Sequence, residues 1–422
     1  MNRPHVYIGE QAIEALCAYV AEQGIERFDL LADVNTWEAI GQRAAAALSA
    51  TGAQGQPLIL PADVIADEDA IVQVLLRAND HERALIAAGS GTLTDLGRFV
   101  SHRAGRRFIS LPTAPSVDAY ASINSPLVLR RLKETINAHA PEAIFCDLQV
   151  LCSAPPAMIA AGYGDILAKH VCLADWRLGH LLWNETIDET VEQDMRASLE
   201  RVAPLAAAIG RAEPEAIAIL TEALIASGHA MATVGSSRPA SGAEHHVSHY
   251  LEMRLLLEGR PPVLHGAKVG AATVLMARSY ERLRAIDRDE VSRRLAADLW
   301  PSAEAQCAEI RANYGEIAEQ VIASHRTMID LSGASRQAFY QRILSHWDEV
   351  QAVAATVPPS DLLAERLVAA GGQVALTAFG FDPAEVSTAV QVAHYVRDRF
   401  TVRQLELALG LQALHSPEFS LE

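Results

Sequence analysis

Residues 87–95, Ala87-Ala88-Gly89-Ser90-Gly91-Thr92-Leu93-Thr94-Asp95, fix the fold class of this chain. They close the apolar run 84–88 and open a helical pattern, so a strand turns through two glycines into a helix. Glycine there permits positive φ and close backbone approach, while the helix start offers N–H groups and the positive end of its dipole to an anion. The spacing is not Gly-x-Gly-x-x-Gly, and a glycine turn after a strand also serves purely structural ends. The turn therefore predicts a phosphate cradle only in company with other motifs.

Outward from this turn, short apolar runs at 6–8, 28–32, 57–60, 108–111 and 143–145 alternate with amphipathic stretches such as 11–23 and 67–78. Such alternation predicts a Rossmann-like α/β sheet. After about Pro155 the strand signals fade, and Ala, Leu, Glu and Arg recur at helical spacing, with Ser302, Ser332 and Asp382 positioned as N-caps. The expected organisation is a Rossmann-like dinucleotide-binding domain over 1–155 and an all-α domain over 156–422. No repeat period or low-complexity tract interrupts it.

Composition narrows the function. The chain has 422 residues, half of them hydrophobic, enough to bury two ordinary cores. A formal charge of −17 excludes the clustered basic field that nucleic-acid binding requires, although local N–H groups and a few cations can still hold a small anion. Five cysteines, Cys17, Cys146, Cys152, Cys172 and Cys307, form no Cys-x-x-Cys pair, which predicts inert buried thiols in a reducing compartment and no thiolate metal cage. No uninterrupted apolar run approaches the ~20 residues that cross a bilayer, so the expectation is a cytoplasmic protein without a membrane span.

Two further motifs carry chemistry. Leu111-Pro112-Thr113-Ala114-Pro115-Ser116-Val117-Asp118 also leaves a strand, and its prolines stiffen a loop whose Thr, Ser and Asp can face a ligand. Ligands of open α/β sheets collect beyond the carboxyl ends of strands, so both loops can wall one crevice; alternatively, Ser116 and Asp118 only cap the next segment. Further on, Asp165, His245, His249 and His265 offer a carboxylate and imidazoles without sulfur, a donor set that suits a catalytic divalent ion. Histidines four apart share a helix face, which points His245 and His249 at one position. Histidines are frequent in this chain, however, and a single helical histidine is commonly surface or satisfied core.

Read in order, Gly89-Ser90-Gly91-Thr92 with Asp95, Pro112 to Ser116 with Asp118, Gly164-Asp165 with Lys169, Ser241 to His245 with Ser248-His249, and Leu264-His265-Gly266 with Val269-Gly270 resemble the glycerol-1-phosphate dehydrogenases. That family belongs with the dehydroquinate synthase-like and iron-containing alcohol dehydrogenase proteins. The likeness extends from Ile8 to the tail Val396-Arg397-Asp398-Arg399-Phe400-Thr401.

The resemblance implies an NAD(P)-linked, metal-dependent oxidoreductase that interconverts dihydroxyacetone phosphate and sn-glycerol 1-phosphate. It assigns Gly89, Ser90, Gly91, Thr92 and Asp95 to the nucleotide phosphates, Thr113, Ser116 and Ser122 to the nicotinamide side and Asp33 to the adenosine ribose. Asp165, His245 and His265 match the ligands of one divalent ion, zinc, nickel or iron. His249 then faces substrate instead of metal, Asp118 contacts substrate, and either of the two relays the proton. Lys169, one turn beyond Asp165, is the first candidate cation for the substrate's phosphate, with an ordinary surface ion pair as the alternative. A homodimer or larger homo-oligomer is implied as well. Ala119 departs from the glycine usual after the aspartate, and residues 123–139 are less familiar. The rival expectations are a dehydroquinate synthase-like cyclase, an oxidoreductase for another small polyol or polyol phosphate, and a sensor that binds the cofactor without chemistry.

Overall fold

Apolar runs bounded by turns become parallel strands here. The computed structural model describes residues 3–414 apart from 79 and 131. Eight strands occur among them: β1 (His5–Gly9), β2 (Arg27–Asp33), β3 (Gln54–Leu60), β4 (Ala84–Ala88), β5 (Phe108–Leu111), β6 (Asn124–Leu129), β7 (Leu132–Asn137) and β8 (Ala143–Asp147). Six pair in the order β1-β8-β5-β4-β2-β3, all parallel, while β6 and β7 form a separate antiparallel hairpin. Helices cover both faces. Leu16, Val20, Ile40 and Leu48 pack with Phe28, Leu30 and Ile86 on one side, and Val74, Leu93, Leu96 and Val100 pack with Leu31, Leu58 and Leu85 on the other. Burial on both faces explains why the central strands read as continuous apolar runs.

Two differences from the sequence expectation have plain causes. Strand β3 starts at Gln54, three residues before the apolar signal, because at the sheet edge its exposed polar residues still pair with β2 from Arg27↔Gln54 onward. The hairpin β6-β7 went unread because Pro126 and polar neighbours such as Asn124 and Ser125 stand beside its short apolar stretch, Leu127 to Leu129, and speak against a strand.

Beyond β8 every regular element is helical. Six helices bear on the site: α1 (Gly91–Arg103), α2 (Pro156–Leu167), α3 (Lys169–Trp183), α4 (Pro214–Val234), α5 (Ala243–Glu258) and α6 (His265–Arg284). Helix α4 bears on the membrane expectation, although Glu215 and Glu222 interrupt its apolar sequence. With mean hydropathy 1.5 it is long and apolar enough to span a bilayer by length and composition, yet 61% of its apolar window is buried inside the fold. Its Ile217, Leu220 and Leu224 serve the core shared with Tyr163, Ile166 and Leu167. The expected caps form at Ser302 and Asp382, whose side chains accept from the backbone N–H groups of Ala305 and Glu385, and at Ser332, which has a capping box. All five cysteines are free; Cys146 and Cys172 are buried, whereas Cys17, Cys152 and Cys307 are only half-buried, against the expectation. Burial raises the thiol pKa of Cys146 and Cys172, which keeps them unreactive.

Helices α2 and α6 cross almost backbone to backbone. A Cβ on Gly266 would lie 2.0 Å from the Ala161 carbonyl oxygen, and one on Gly164 would lie 2.5 Å from that of Gly266. On the other side of α2, a Cβ on Gly162 would stand 1.7 Å from the Pro115 carbonyl oxygen. Only hydrogen fits at these contacts, and they bring Asp165, His265 and the 112–118 loop to one place. Replacement Gly266→Ala is expected to destabilise the fold by about 1–3 kcal/mol or more through overpacking against rigid backbone. A shift of the denaturation midpoint, measured together with bound metal, checks this; an unshifted midpoint would show that the crossing can relax.

Candidate metal and nucleotide site

The glycine turn ends β4 inside the sheet. Gly89 N–H donates to the Leu111 carbonyl (3.1 Å) and Thr113 N–H to the Gly89 carbonyl (3.3 Å), so the two motif loops are stitched side by side beyond the strand ends. Ser90 occupies the N-cap of α1 without making a side-chain cap bond, which leaves the leading N–H groups, from Gly91 and Thr92 onward, to an anion. Asp33 ends β2, where its carboxylate accepts from Thr36 N–H (2.8 Å) in a capping box.

Asp95 is turned inward. Its carboxylate takes the Arg98 guanidinium at 2.9 Å, and Arg98 in turn donates to the carbonyls of Ala119, Tyr120 and Asn124. Burial pushes the Asp95 carboxyl up to about 7 despite Arg98. In this arrangement Asp95 anchors the clamp that holds the 119–124 loop against α1. Thr113, Ser116 and Ser122 are buried along the same loop, with Ser122 accepting from Asn124 N–H at 3.0 Å and Ser116 lying 3.4 Å from the Tyr120 hydroxyl.

The loop continues directly into the metal-like cluster. Asp118 N–H donates to Asp165 Oδ2 (3.0 Å), whose other oxygen, Oδ1, lies 3.4 Å from His245 Nε2. The His265 ring centre is 5.3 Å from that of His245. One donor atom each from Asp165, His245 and His265 falls within 4.8 Å of the others. Asp165 Oδ1 and His265 Nδ1 are buried without a hydrogen-bond partner, an arrangement that costs free energy unless something fills it. One carboxylate and two imidazoles without sulfur fit a divalent ion with an open position. His249 stands beside them, 5.3 Å from His265 and 6.0 Å from His245 between ring centres, with Nδ1 facing Glu252 at 3.4 Å. Burial, with Lys133 and Arg397 nearby, pushes its imidazole down to about 3. With Glu252 and His265 it forms a second set of close donors.

Lys169 corrects the sequence expectation. It is 0% exposed, and its ammonium lies 2.7 Å from Asp118 Oδ2, 3.2 Å from the Ala240 carbonyl and 3.6 Å from Asp165 Oδ1. Neither a surface pair nor a free cation for phosphate, it is the internal counter-ion of two acids. Burial would raise the Asp165 carboxyl, but Lys169, His245 and His265 hold it well below the usual carboxylate range. Burial and the Asp165 charge raise Asp118, opposed by Lys169. Asp118 Oδ2 also accepts from Ser227 of α4 (2.7 Å).

Sequence reasoning missed Glu244. Fully buried, it accepts from His245 Nδ1 at 2.6 Å and from Gly242 N–H at 2.9 Å, which fixes the His245 ring and leaves Nε2 toward Asp165. Adjacency to His245 at the start of α5 was the signal available.

Comparison with known proteins supplies the family. The iron-containing alcohol dehydrogenase profile matches residues 7–155. The chain is 34% identical over 402 residues to the glycerol-1-phosphate dehydrogenase (NAD(P)+) of Geobacillus thermodenitrificans strain NG80-2, covering 94% of this chain and 90% of that protein. It belongs to the glycerol-1-phosphate dehydrogenase family. Among solved structures, the fold matches the alcohol dehydrogenase from Oenococcus oeni (TM-score 0.61, 12% identity, 97% and 98% of the two chains). It also matches the sulfoacetaldehyde reductase from Bifidobacterium kashiwanohense in complex with NAD+ (TM-score 0.61, 15% identity, 99% and 98%). At these identities the match concerns the fold: a Rossmann-like α/β part followed by a helical part, as in other dehydroquinate synthase-like proteins.

Two substitutions probe the site. Glu244→Gln is expected to weaken metal binding ~10- to 100-fold by loosening His245, read by competition with a chromophoric chelator; unchanged affinity would remove Glu244 from the site. Lys169→Met strands two buried carboxylates and is expected to cost about 3–5 kcal/mol in the metal-free protein. Denaturant midpoints measure it, and a loss under ~1 kcal/mol would mean the acids are solvated or protonated.

Proposed function

We propose that this family member interconverts dihydroxyacetone phosphate and sn-glycerol 1-phosphate with NAD(P)(H), using one divalent ion, zinc, nickel or iron, held by Asp165, His245 and His265. The carrying observation is the convergence of those three side chains within 4.8 Å, directly bonded through Asp118 N–H to the loop stitched against the glycine turn. Residues 1–155 would take the nucleotide and 156–422 the metal and substrate. Support for this division comes from strands that end at Asp147 and a long helix that begins at Pro156.

When bound, the nucleotide supplies or accepts the hydride and the ion polarises the C2 oxygen. The protein does the rest. Lys169 keeps Asp165 ionised and ready as a ligand. Glu244 holds His245 by Nδ1, and the interlocked 112–118 loop sets the distance between the nucleotide crevice and the ligands. His249, an imidazole kept neutral by burial, is suited to hold or move a proton at a ring nitrogen next to the substrate. Asp118 is the other relay candidate, although Lys169 and Ser227 already occupy its Oδ2.

Purified, metal-loaded protein is expected to oxidise NADH or NADPH with dihydroxyacetone phosphate in equal amounts, followed at the nicotinamide absorbance band. Chelation should abolish the rate and metal should restore it, while His249→Ala is expected to lower kcat ~10²- to 10⁴-fold with metal content unchanged. Cofactor cycling without net change in absorbance would favour a cyclase, and cofactor binding without turnover of any polyol phosphate would favour a sensor.

A further inference from the structure

With Lys169 engaged internally, a different group must meet the substrate's charge. Most cations around the cluster already have an acid. Lys133 of β7 pairs with Glu252 at 2.8 Å, Lys268 donates to the Val263 carbonyl at 2.6 Å with Glu252 4.0 Å away, and Arg238 Nε pairs with Glu185 at 2.6 Å. Arg397 and Arg399 are different. Both donate to one neutral oxygen, Ser237 Oγ, at 2.7 and 2.8 Å, and Arg399 adds the Ser241 carbonyl at 3.2 Å. Among the described residues no carboxylate lies within ion-pair distance of either. Behind them Arg238, with a side chain only 7% exposed, has Nη1 buried and without a hydrogen-bond partner.

Three guanidiniums therefore share a half-buried corner in which, among the described residues, only Arg238 has an ion-pair partner, Glu185. Arginine cannot escape by losing its proton, and unpaired buried charge is expensive, so the corner is incomplete without an anion. Burial lowers both groups, Arg399 to about 9 with Arg397 and Arg238 contributing repulsion. The corner adjoins the reacting centre. Ser237, Arg238 and Ser241 belong to the segment whose Ala240 carbonyl accepts from Lys169 and which leads into Glu244 and His245.

We propose that Arg397 and Arg399, backed by Arg238 and set by Ser237, bind the phosphate of the polyol phosphate substrate. This rests on the reading of the site as a polyol phosphate dehydrogenase and assigns its phosphate subsite. Two planar forks converging on one point suit the oxygens of a phosphate monoester better than a lone ammonium would.

The test compares Arg397→Met and Arg399→Met with the wild-type, metal-loaded enzyme on dihydroxyacetone phosphate and on unphosphorylated dihydroxyacetone. The ratio of kcat/KM for the two substrates should fall about 30-fold or more in each variant, mainly through KM for the phosphorylated one. Competitive inhibition by inorganic phosphate should weaken in parallel. Arg397→Lys and Arg399→Lys, which keep the charge and are gentler on folding, should recover part of the ratio. A ratio within about threefold of wild type in the Met variants would overturn the assignment. So would a rise in KM for NADH or NADPH instead, which would give these arginines to the nucleotide. If wild type itself fails to prefer the phosphorylated triose, the underlying reading fails first, and the two failures are told apart by the enzyme in which they occur.

Discussion

Everything at this site depends on how closely helices α2 and α6 approach. Asp165 and His265 are 100 positions apart in sequence, and they share a point because Gly164 and Gly266 let two backbones meet where any side chain would collide with a carbonyl. Gly162 extends the same constraint to the Pro115 carbonyl, so the nucleotide-side loop rests on the helix that carries the carboxylate. Metal chemistry needs ligands held to a fraction of an ångström, and rigid backbone contact gives that more reliably than long side chains do. The stiffness has an electrostatic counterpart in Lys169, whose ammonium joins Asp118 of the loop to Asp165 of the helix without access to water.

How much of this could be read beforehand depended on whether a feature was local. Strands β4 and β5 were legible to the residue because both faces are buried and the apolar run therefore equals the strand. The hairpin was not, since its strands pair only with each other and half of their residues are polar. The clustering of Asp165, His245 and His265 was foreseeable from motif order, whereas four-residue spacing alone pairs His249 with His245. Lys169 was misread for a related reason. Spacing tells which side chains share a helix face, not what that face touches, and here it touches the buried side of Asp118. Arg397 and Arg399 were visible only as a familiar tail, since nothing local shows that they converge on Ser237.

Charge bookkeeping ties these parts together. Asp118, Asp165 and Glu244 against Lys169 leave an excess of acid around the imidazoles, which a divalent ion would offset. A substrate phosphate then finds no surplus at the metal and must be neutralised elsewhere. Next to His249, Glu252 stands between Lys133 and Lys268, and Arg397 and Arg399 have no acid at ion-pair distance among the described residues, so the surplus positive charge lies on one side of the cluster. An anionic tail drawn to that side would leave the other end of a short polyol over the metal ligands. The chain's overall charge of −17 sharpens the effect, because attraction for an anion exists only where the local field reverses sign. Orientation of the substrate would then follow from where arginines meet neutral oxygens instead of acids, and the hydride's target carbon from the distance between that corner and Asp165.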